Sequence, residues 1–186
     1  MKAFYSSILA LAILASGPVM GSATADGWDV NNPDYSVAAS RVEIDSAEGT
    51  WMNLDVSPDG QTIVFDFLGD IYRIPMAGGD AVNLTSSHAW DIQPRFSPDG
   101  TALAFTSDRA GGDNIWTMDL ATGDYHQVTH EDFRLLNNPT WSRDGQFIAA
   151  RKHFTTSRSL GTGEIWLYYA NAQGKQAGQQ LVERPN

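Results

Sequence analysis

The sequence contains no cysteine among its 186 residues. Disulfide bonds therefore cannot contribute to its stability, and the folded chain must depend on apolar burial and strand pairing. A sustained helical pattern is also absent, because no segment repeats its apolar residues at the spacing of an α-helix. The lack of both features indicates an all-β protein that is stabilised by its core.

Basic residues are scarce. The chain has 12 lysines and arginines against 22 aspartates and glutamates, a formal net charge of −10, and the acidic residues are spread along its length. A nucleic-acid-binding protein needs a basic patch to neutralise phosphates, so we expect no nucleic acid among the partners. The negative charge is instead typical of a feature that favours solubility.

Long apolar runs are missing as well. An apolar run at residues 8–15 follows the positive charge of Lys2 and precedes Ala23-Thr24-Ala25, which fits a small-residue cleavage site. This pattern predicts a secretory signal peptide over residues 1–25, cut after Ala25, and a linker over residues 26–40. A spanning helix needs about 18 apolar residues, so no membrane span is expected after cleavage. We therefore expect an exported bacterial protein, periplasmic or secreted.

One short motif occurs three times. Residues 57–60 and 97–100 read Ser-Pro-Asp-Gly, and residues 142–145 read Ser-Arg-Asp-Gly, so their glycines are 40 and 45 residues apart. Proline, aspartate and glycine favour successive positions of a tight turn, although arginine replaces the proline in the third copy. Each turn is followed by an apolar strand, and repeats of this length are typical of four-stranded propeller blades.

A second pattern follows each turn: a polar residue, an isoleucine and a large aromatic residue, then a glycine-bearing turn and a short last strand. The two patterns together predict an incomplete β-propeller over residues 41–186, with blades at about 46–86, 87–130 and 131–186. Large aromatic residues at one repeated position most often pack between neighbouring sheets. We expect this packing for Tyr72, Trp116 and Trp166.

Most of the length variation between the repeats falls in one loop. The spacing from the turn glycine to the isoleucine is 11, 15 and 20 residues, whereas the spacing from that isoleucine to the next turn glycine is 29 and 30. In an up-and-down blade this loop shares a face with the loop between blades, and insertions on one face usually mark the binding face. The candidate binding residues are the chemically rich ones in these loops: His88, Trp90, Asp91, Asp108, Arg109, Asp113, Arg134, His153 and Arg158.

Motifs for catalysis or cofactor binding are missing from the sequence. His126 and His130 are four residues apart in a predicted strand, and this spacing of about 13 Å is too long for one zinc ion. The loop at residues 108–113 lacks the regular ligand pattern of a calcium site. No Gly-x-Ser-x-Gly, phosphate-loop or dinucleotide fingerprint occurs. We therefore predict no catalytic residue, no metal and no cofactor in this chain.

The repeats resemble those of the TolB-like, WD40-like PD40 propellers. The resemblance is carried by Phe-Ser-Pro-Asp-Gly at 96–100, Ala-Phe-Thr-Ser-Asp-Arg at 104–109 and Asn-Ile-Trp at 114–116. Trp-Ser-Arg-Asp-Gly at 141–145 departs from the family pattern at the proline. The resemblance extends from Arg41 to the C-terminus and implies a propeller fold.

A narrower resemblance links residues 48–52, 133–139 and 150–154 to exported bacterial amidohydrolases that carry an N-terminal propeller of this kind. It implies a non-catalytic propeller portion that gates or scaffolds a metal-dependent amidohydrolase domain, whose ligands have no counterpart here. The alternative is a periplasmic TolB-like module that binds a protein or peptide. The expected partners are the missing blades or catalytic domain of a longer parent, or a periplasmic protein or peptide.

Overall fold

The described residues form three four-stranded antiparallel sheets, which we call blades 1, 2 and 3, and the described ranges contain no helix. The computed structural model describes residues 44–153 and 163–182, so the predicted signal peptide and linker lie outside the described residues. The strands follow one another in chain order within each sheet, as expected for propeller blades. The strands are β1 (Leu54–Val56), β2 (Thr62–Phe67), β3 (Asp70–Pro75) and β4 (Val82–Asn83) in blade 1; β5 (Ile92–Phe96), β6 (Ala102–Ser107), β7 (Asn114–Asp119) and β8 (Tyr125–Gln127) in blade 2; and β9 (Leu136–Trp141), β10 (Phe147–His153), β11 (Gly163–Tyr169) and β12 (Gln179–Val182) in blade 3.

The three repeated turns share one geometry, which confirms the predicted hairpins. In the first turn, the Ser57 hydroxyl donates a hydrogen bond to the Asp59 carboxylate (2.6 Å) and accepts one from the Thr62 N–H (2.9 Å). The same bonds occur at residues 97–102 and 142–147. The turn glycines have φ values of 71°, 74° and 71°, a conformation that a Cβ atom disfavours. The serine hydroxyl, and after it a backbone N–H, lowers the pKa of the aspartate in each turn.

A network of hydrogen bonds near the first strands connects neighbouring blades. Asp66, in β2, accepts hydrogen bonds from the backbone N–H groups of Asn53 (2.7 Å) and Gln93 (2.7 Å). The side-chain oxygen of Gln93 in turn accepts from the Thr106 hydroxyl (3.0 Å) and from the N–H of Asn138 (2.8 Å). Gln93 and Asn138 occupy irregular positions in β5 and β9, where the register shifts and φ is 59° and 53°. This network therefore joins blade 1 to blade 2 and blade 2 to blade 3.

Two apolar cores fill the spaces between the blades, because alternate residues of each strand point to opposite faces of the sheet. The core between blades 1 and 2 contains Val64, Ile71, Leu103, Phe105 and Met118. The core between blades 2 and 3 contains Ala104, Ile115, Val128, Leu136, Ile148, Ala150, Tyr168 and Ala170. Blade 2 thus contributes one face of its sheet to each core.

The repeated aromatic position packs between sheets, as predicted, in blades 2 and 3. Trp116 and Trp166 are half-buried and pack against the two cores. Tyr72 pairs with Phe65 on the side of blade 1 turned away from blade 2, so its packing between sheets is not tested by the described residues and stays a prediction. The two rings stack there with their centroids 5.7 Å apart. No described blade covers that side of the sheet.

Two sheet faces of the described chain are consequently uncovered. On each of these faces, paired residues of neighbouring strands point their exposed or half-buried side chains away from blade 2. The outer face of blade 1 consists of Leu54, Val56, Ile63, Phe65, Phe67, Tyr72 and Ile74. The outer face of blade 3 consists of Phe147, Ala149, Arg151, Ile165, Leu167 and Tyr169.

Candidate functional site

Two kinds of loop meet at one end of the sheets: loops between the second and third strands of a blade, and loops between successive blades. We call this surface the loop face, which comprises residues 68–69, 84–91, 108–113 and 128–135 and residues 49–53 leading into β1. The Asp91 N–H donates to the Gly69 carbonyl (2.8 Å), and the Trp90 N–H donates to the Asp108 carboxylate (2.8 Å). The carbonyl of Asp113 accepts from the start of β9 (3.1 Å). These bonds join the loops of neighbouring blades into one surface.

The most buried ion pair among the described residues of the loop face joins Asp91 and Arg109. One Arg109 nitrogen, Nη2, lies 2.8 Å from Oδ1 and 2.7 Å from Oδ2 of Asp91, and the two side chains are 0% and 6% exposed for Asp91 and Arg109 respectively. The Arg109 Nε donates to the Ser107 hydroxyl (3.0 Å), and the guanidinium carbon lies 3.8 Å from the Tyr125 ring centroid. Burial raises the pKa of Asp91, and hydrogen bonds from Ser107 and Arg109 offset some of that rise. Both side chains are therefore committed to an internal contact.

A second ion pair, between Glu131 and Lys152, forms an equivalent contact between blades 2 and 3. The Lys152 ammonium donates to a Glu131 carboxylate oxygen and lies 4.4 Å from the centroid of the Trp166 ring. In both pairs, an acid in the loop between two blades meets a base near the end of the second strand of a blade: Lys152 lies in β10, and Arg109 lies two residues after β6. This second pair was not predicted from the sequence, because neither residue belongs to a repeated motif.

The hydroxyl of Tyr168 lies next to this second pair. No described residue is a hydrogen-bond partner of this buried hydroxyl group. Burial, and after it the negative charge of Glu131, raises the pKa of Tyr168. A buried hydroxyl without a partner costs stability, so this tyrosine is kept in the core by its ring rather than by its oxygen.

Threonines that lie two residues after the fourth strands fix the beginning of the loops between blades. The Thr85 hydroxyl oxygen accepts from the N–H of Ile71 (2.8 Å), and the Thr129 hydroxyl oxygen accepts from the N–H of Ile115 (2.8 Å). Thr129 also donates to the side-chain oxygen of Asn114 (2.8 Å). In both blades the threonine comes 14 residues after the repeated isoleucine, and this spacing is the sequence signal for the hydrogen bond. The threonine lies outside the motifs that predicted the blades.

Exposed apolar side chains collect on the loop face. We call the opposite end of the sheets the turn face. Among the described loops of the turn face, Met76 is the exposed large apolar residue. The loop face contributes six: Trp51, Met52, Leu68, Trp90, Phe133 and Leu135. Of these, only Trp90 was predicted from the sequence, because the other candidates were chosen for their polar chemistry.

The comparison with known proteins supports this architecture. The model of the tricorn protease N-terminal β-propeller domain matches residues 50–182. The chain belongs to this propeller family. A TolB homologue from Chlorobium luteolum is 36% identical over 95 residues, which cover 50% of this chain and 21% of that protein. Tricorn protease homolog 1 from Streptomyces coelicolor is 29% identical over 92 residues, covering 50% of this chain and 9% of that protein.

A solved structure gives the same fold assignment for this propeller domain. TolB from Acinetobacter baumannii superposes with a TM-score of 0.53 at 25% sequence identity, covering 69% of this chain and 31% of that one. The matched region thus spans about a fifth or less of the two curated relatives and under a third of this structure. The chain is a TolB-like β-propeller domain, and the predicted family and fold are confirmed.

The remaining predicted residues of the propeller domain lie at several positions on the loop face. His88 is exposed, whereas Arg134 and His153 are half-buried at the loop between blades 2 and 3. The backbone N–H of His153 donates to the carbonyl of Leu135 (3.0 Å). Arg158 lies outside the described residues. The structure therefore joins Asp91 to Arg109 and Trp90 to Asp108.

The turn face of the propeller domain contains two equivalent clefts of about 370 and 360 Å³. Each lies between the repeated turns of neighbouring blades and is lined by turn residues such as Pro58 and Gly100, or Pro98 and Gly145. Within residues 44–153 and 163–182, no group of three or more potential metal-ligating side chains comes together, and no helix is long and apolar enough to cross a membrane.

Proposed function

We propose that this propeller is a non-catalytic domain of an exported amidohydrolase-type protein, and that its loop face docks against the catalytic domain and gates access to it. The single observation that carries the proposal is the collection of six exposed large apolar side chains on the loop face. Apolar groups of this size are normally buried, and each contributes about 1.5–3 kcal/mol when a partner removes it from water. An exposed cluster rimmed by polar loops is typical of a protein-binding surface.

Two of these side chains are held in strained backbone conformations. Trp51 has a φ of 60° and Leu68 a φ of 53°, and Trp51 is 99% exposed. A left-handed conformation costs a non-glycine residue about 1–2 kcal/mol. Strained residues cluster at binding sites and at other functional positions. The strain and the exposure of Trp51 both favour a role in recognition.

A third apolar residue, Trp90, is fixed in place before any partner arrives. Its N–H is bonded to Asp108, and its ring lies so close to Gly69 that a Cβ atom there would be 2.5 Å from ring carbon Cε3. The loop that carries Trp90 is further held by the buried ion pair of Asp91 and Arg109. Preorganisation of this kind reduces the entropy that is lost on binding.

The type of partner is inferred from where the narrower resemblance falls. Two of the three stretches that resemble propeller-bearing amidohydrolases, residues 48–52 and 133–139, contain four of the six exposed apolar residues of the loop face, and the third, residues 150–154, begins in strand β10. The overlap of the first two stretches with the loop face supports a shared binding surface. The predicted leader at residues 1–25 supports export of the whole protein.

The alternative is a periplasmic module that binds a separate protein or peptide through the same loop face. The observation that favours it is the 36% identity with a TolB homologue over half of this chain. Both hypotheses use the same exposed apolar residues, so they differ in the identity of the occupant and not in the surface.

Site-specific photo-cross-linking in cells tests the proposal and separates the two hypotheses. A photoreactive phenylalanine analogue is placed at Trp90 or at Phe133 in the natural reading frame, and the cross-linked peptides are identified by mass spectrometry. Met76, which is also exposed but lies on the turn face, is the matched control position. We expect cross-links from positions 90 and 133 to a metal-binding hydrolase domain, with few from position 76.

Cross-links to a separate periplasmic protein or peptide would support the alternative. Equal yields at positions 90, 133 and 76 would contradict docking by the loop face. Alanine at Trp90 should weaken the identified complex at least about 30-fold, as expected for a central aromatic contact.

A further inference from the structure

The three repeated turns each contain a chemically reactive pair, Asp–Gly, at residues 59–60, 99–100 and 144–145. In such a pair the glycine nitrogen attacks the aspartate Cγ, because glycine has no side chain to obstruct the approach. The new N–Cγ bond closes a succinimide ring, and the carboxyl hydroxyl leaves as water together with the proton of the glycine N–H. Water then opens the ring at the aspartate α-carbonyl and leaves isoaspartate, which lengthens the backbone by a methylene group.

The carboxylate of each turn aspartate is held by two donors. The Ser57 hydroxyl lies 2.6 Å from Oδ1 of Asp59, and the Gln61 N–H donates to the same oxygen (3.0 Å). The equivalent distances are 2.6 and 3.0 Å in the second turn and 2.5 and 3.0 Å in the third. Both donors stabilise the ionised form, and a carboxylate is a poor electrophile because it has no hydroxyl to release as water. Ring closure therefore requires that these hydrogen bonds break.

The attacking nitrogen is held by the same serine. The Gly60 N–H donates to the Ser57 carbonyl (2.8 Å), and the N–H groups of Gly100 and Gly145 make the equivalent bonds (2.9 and 3.0 Å). Each serine thus binds both reacting groups, the carboxylate through its hydroxyl and the glycine N–H through its carbonyl. The third turn keeps both bonds although Arg143 replaces the proline.

We propose that the serine of each turn protects the Asp–Gly pair against isomerisation, so that three latent isoaspartate sites stay intact in the folded protein. Isomerisation would lengthen the backbone of a turn whose hydrogen bonds fix the hairpin. The proposal rests on the geometry of the turns and is independent of the function proposed for the loop face.

The second turn has an additional donor. The Thr101 hydroxyl lies 2.9 Å from Oδ1 of Asp99, in addition to the bonds from the serine and from the Thr101 N–H. The residues that occupy the position of Thr101 in the other two turns, Gln61 and Gln146, reach the carboxylate through their backbone N–H groups. Asp99 should therefore be the best protected of the three aspartates.

Peptide mapping of the full chain measures isomerisation at each turn separately. The folded protein and the same chain in urea are incubated at mildly acidic pH, and isoaspartate is quantified by mass spectrometry with electron-transfer fragmentation. We expect each pair to isomerise at least about ten-fold more slowly in the folded protein, because hydrogen bonds to a charged group must break before the ring closes. Equal rates in the folded and the unfolded chain at any of the three turns would overturn the proposal.

Ser57→Ala tests the role of the serine. Isomerisation at Asp59 should become about ten-fold faster, as expected when one hydrogen bond to the carboxylate is lost. Asp99 and Asp144 in the same molecules should keep their slow rates, which shows that the rest of the chain stays folded. Ser57→Thr retains a hydroxyl and should restore the slow rate. An unchanged rate at Asp59 in Ser57→Ala would overturn the proposal.

The matched control is Pro58→Ala, which loosens the same turn but keeps both bonds of Ser57. The rate at Asp59 should stay within about two-fold of that of the unaltered protein, since no donor to the carboxylate is lost. An equal acceleration in Pro58→Ala and Ser57→Ala would assign the protection to the rigidity of the turn and overturn the role of the serine.

The second turn provides a test that does not depend on the first. Ser97→Ala should accelerate isomerisation at Asp99 less than Ser57→Ala does at Asp59, and adding Thr101→Val should remove this difference. If the serine variants unfold and all three rates rise, the unaltered protein decides. Relative to its rate in urea, Asp99 must then be the slowest of the three aspartates, and any other order would overturn the proposal.

Discussion

Replacement of Arg109 by alanine gives the strongest test of how the loop face is built. The substitution leaves the carboxylate of Asp91, which is 0% exposed in the folded chain, without its cationic partner. Removing one member of a buried ion pair typically costs about 3–5 kcal/mol, because the other charge stays buried and uncompensated. The contacts of the guanidinium with Phe105, Trp116 and Tyr125 are lost as well, with centroid distances of 5.4, 5.3 and 3.8 Å.

Urea unfolding followed by tryptophan fluorescence measures this cost as a change in the free energy of unfolding. The matched control is Lys175→Ala, which removes an exposed ion pair with Asp132 and should cost less than about 1 kcal/mol. Arg109→Lys keeps the positive charge but loses the planar contact with the aromatic rings, so its cost should fall between the two. This variant also reports the effect if the alanine variant is too unstable to measure.

A cost below about 1 kcal/mol for Arg109→Ala would refute the reasoning, because a buried pair that can be broken so easily contributes nothing to the fold. In that case Asp91 and Arg109 would again be candidates for partner binding, as the sequence first indicated. A cost of the expected size assigns both residues to the support of the loop that carries Trp90.

Three further predictions concern the polar groups of the fold. Thr129→Val should destabilise the protein by about 1–3 kcal/mol in urea unfolding, because a buried N–H loses its acceptor. Tyr168→Phe should stabilise it by about 1 kcal/mol in the same assay, since no described residue bonds the buried hydroxyl; a clear loss of stability would reveal a hidden partner. The hydrogen bonds in the repeated turns lower the pKa values of Asp59, Asp99 and Asp144, so their contribution is present at neutral pH and is lost as the pH falls below about 4. The urea concentration at the midpoint of unfolding, measured from pH 6 downward, should therefore decrease below about pH 4. This decrease should be smaller in a variant in which alanine replaces the serine of each turn.

The fold was predictable because its signals are local. Each Ser-x-Asp-Gly turn contains its own hydrogen-bond acceptors and its left-handed glycine, so the sequence of four residues determines the hairpin. The third turn keeps this geometry although Arg143 replaces the proline, which indicates that the serine and aspartate matter more than the fixed φ of the proline. The number and order of the strands follow from these turns.

The burial of equivalent residues was not predictable from the repeats. Ile71, Ile115 and Ile165 occupy one position in three blades, yet the third is exposed, because burial depends on the neighbouring blade and not on the local sequence. Tyr72 differs from Trp116 and Trp166 for the same reason on the opposite side. A repeat specifies which way a side chain points but not what it meets.

The loop face shows that a charged residue in a loop can have a structural role. A connection between blades must be fixed at both ends against its conformational entropy, and buried ion pairs such as Asp91 with Arg109 and Glu131 with Lys152 supply that restraint. These four charged residues therefore have a structural role in the loops that contain them. Under the proposed function, the side chains available to a partner are exposed apolar ones such as Trp51 and Phe133, which exposure rather than reactivity identifies.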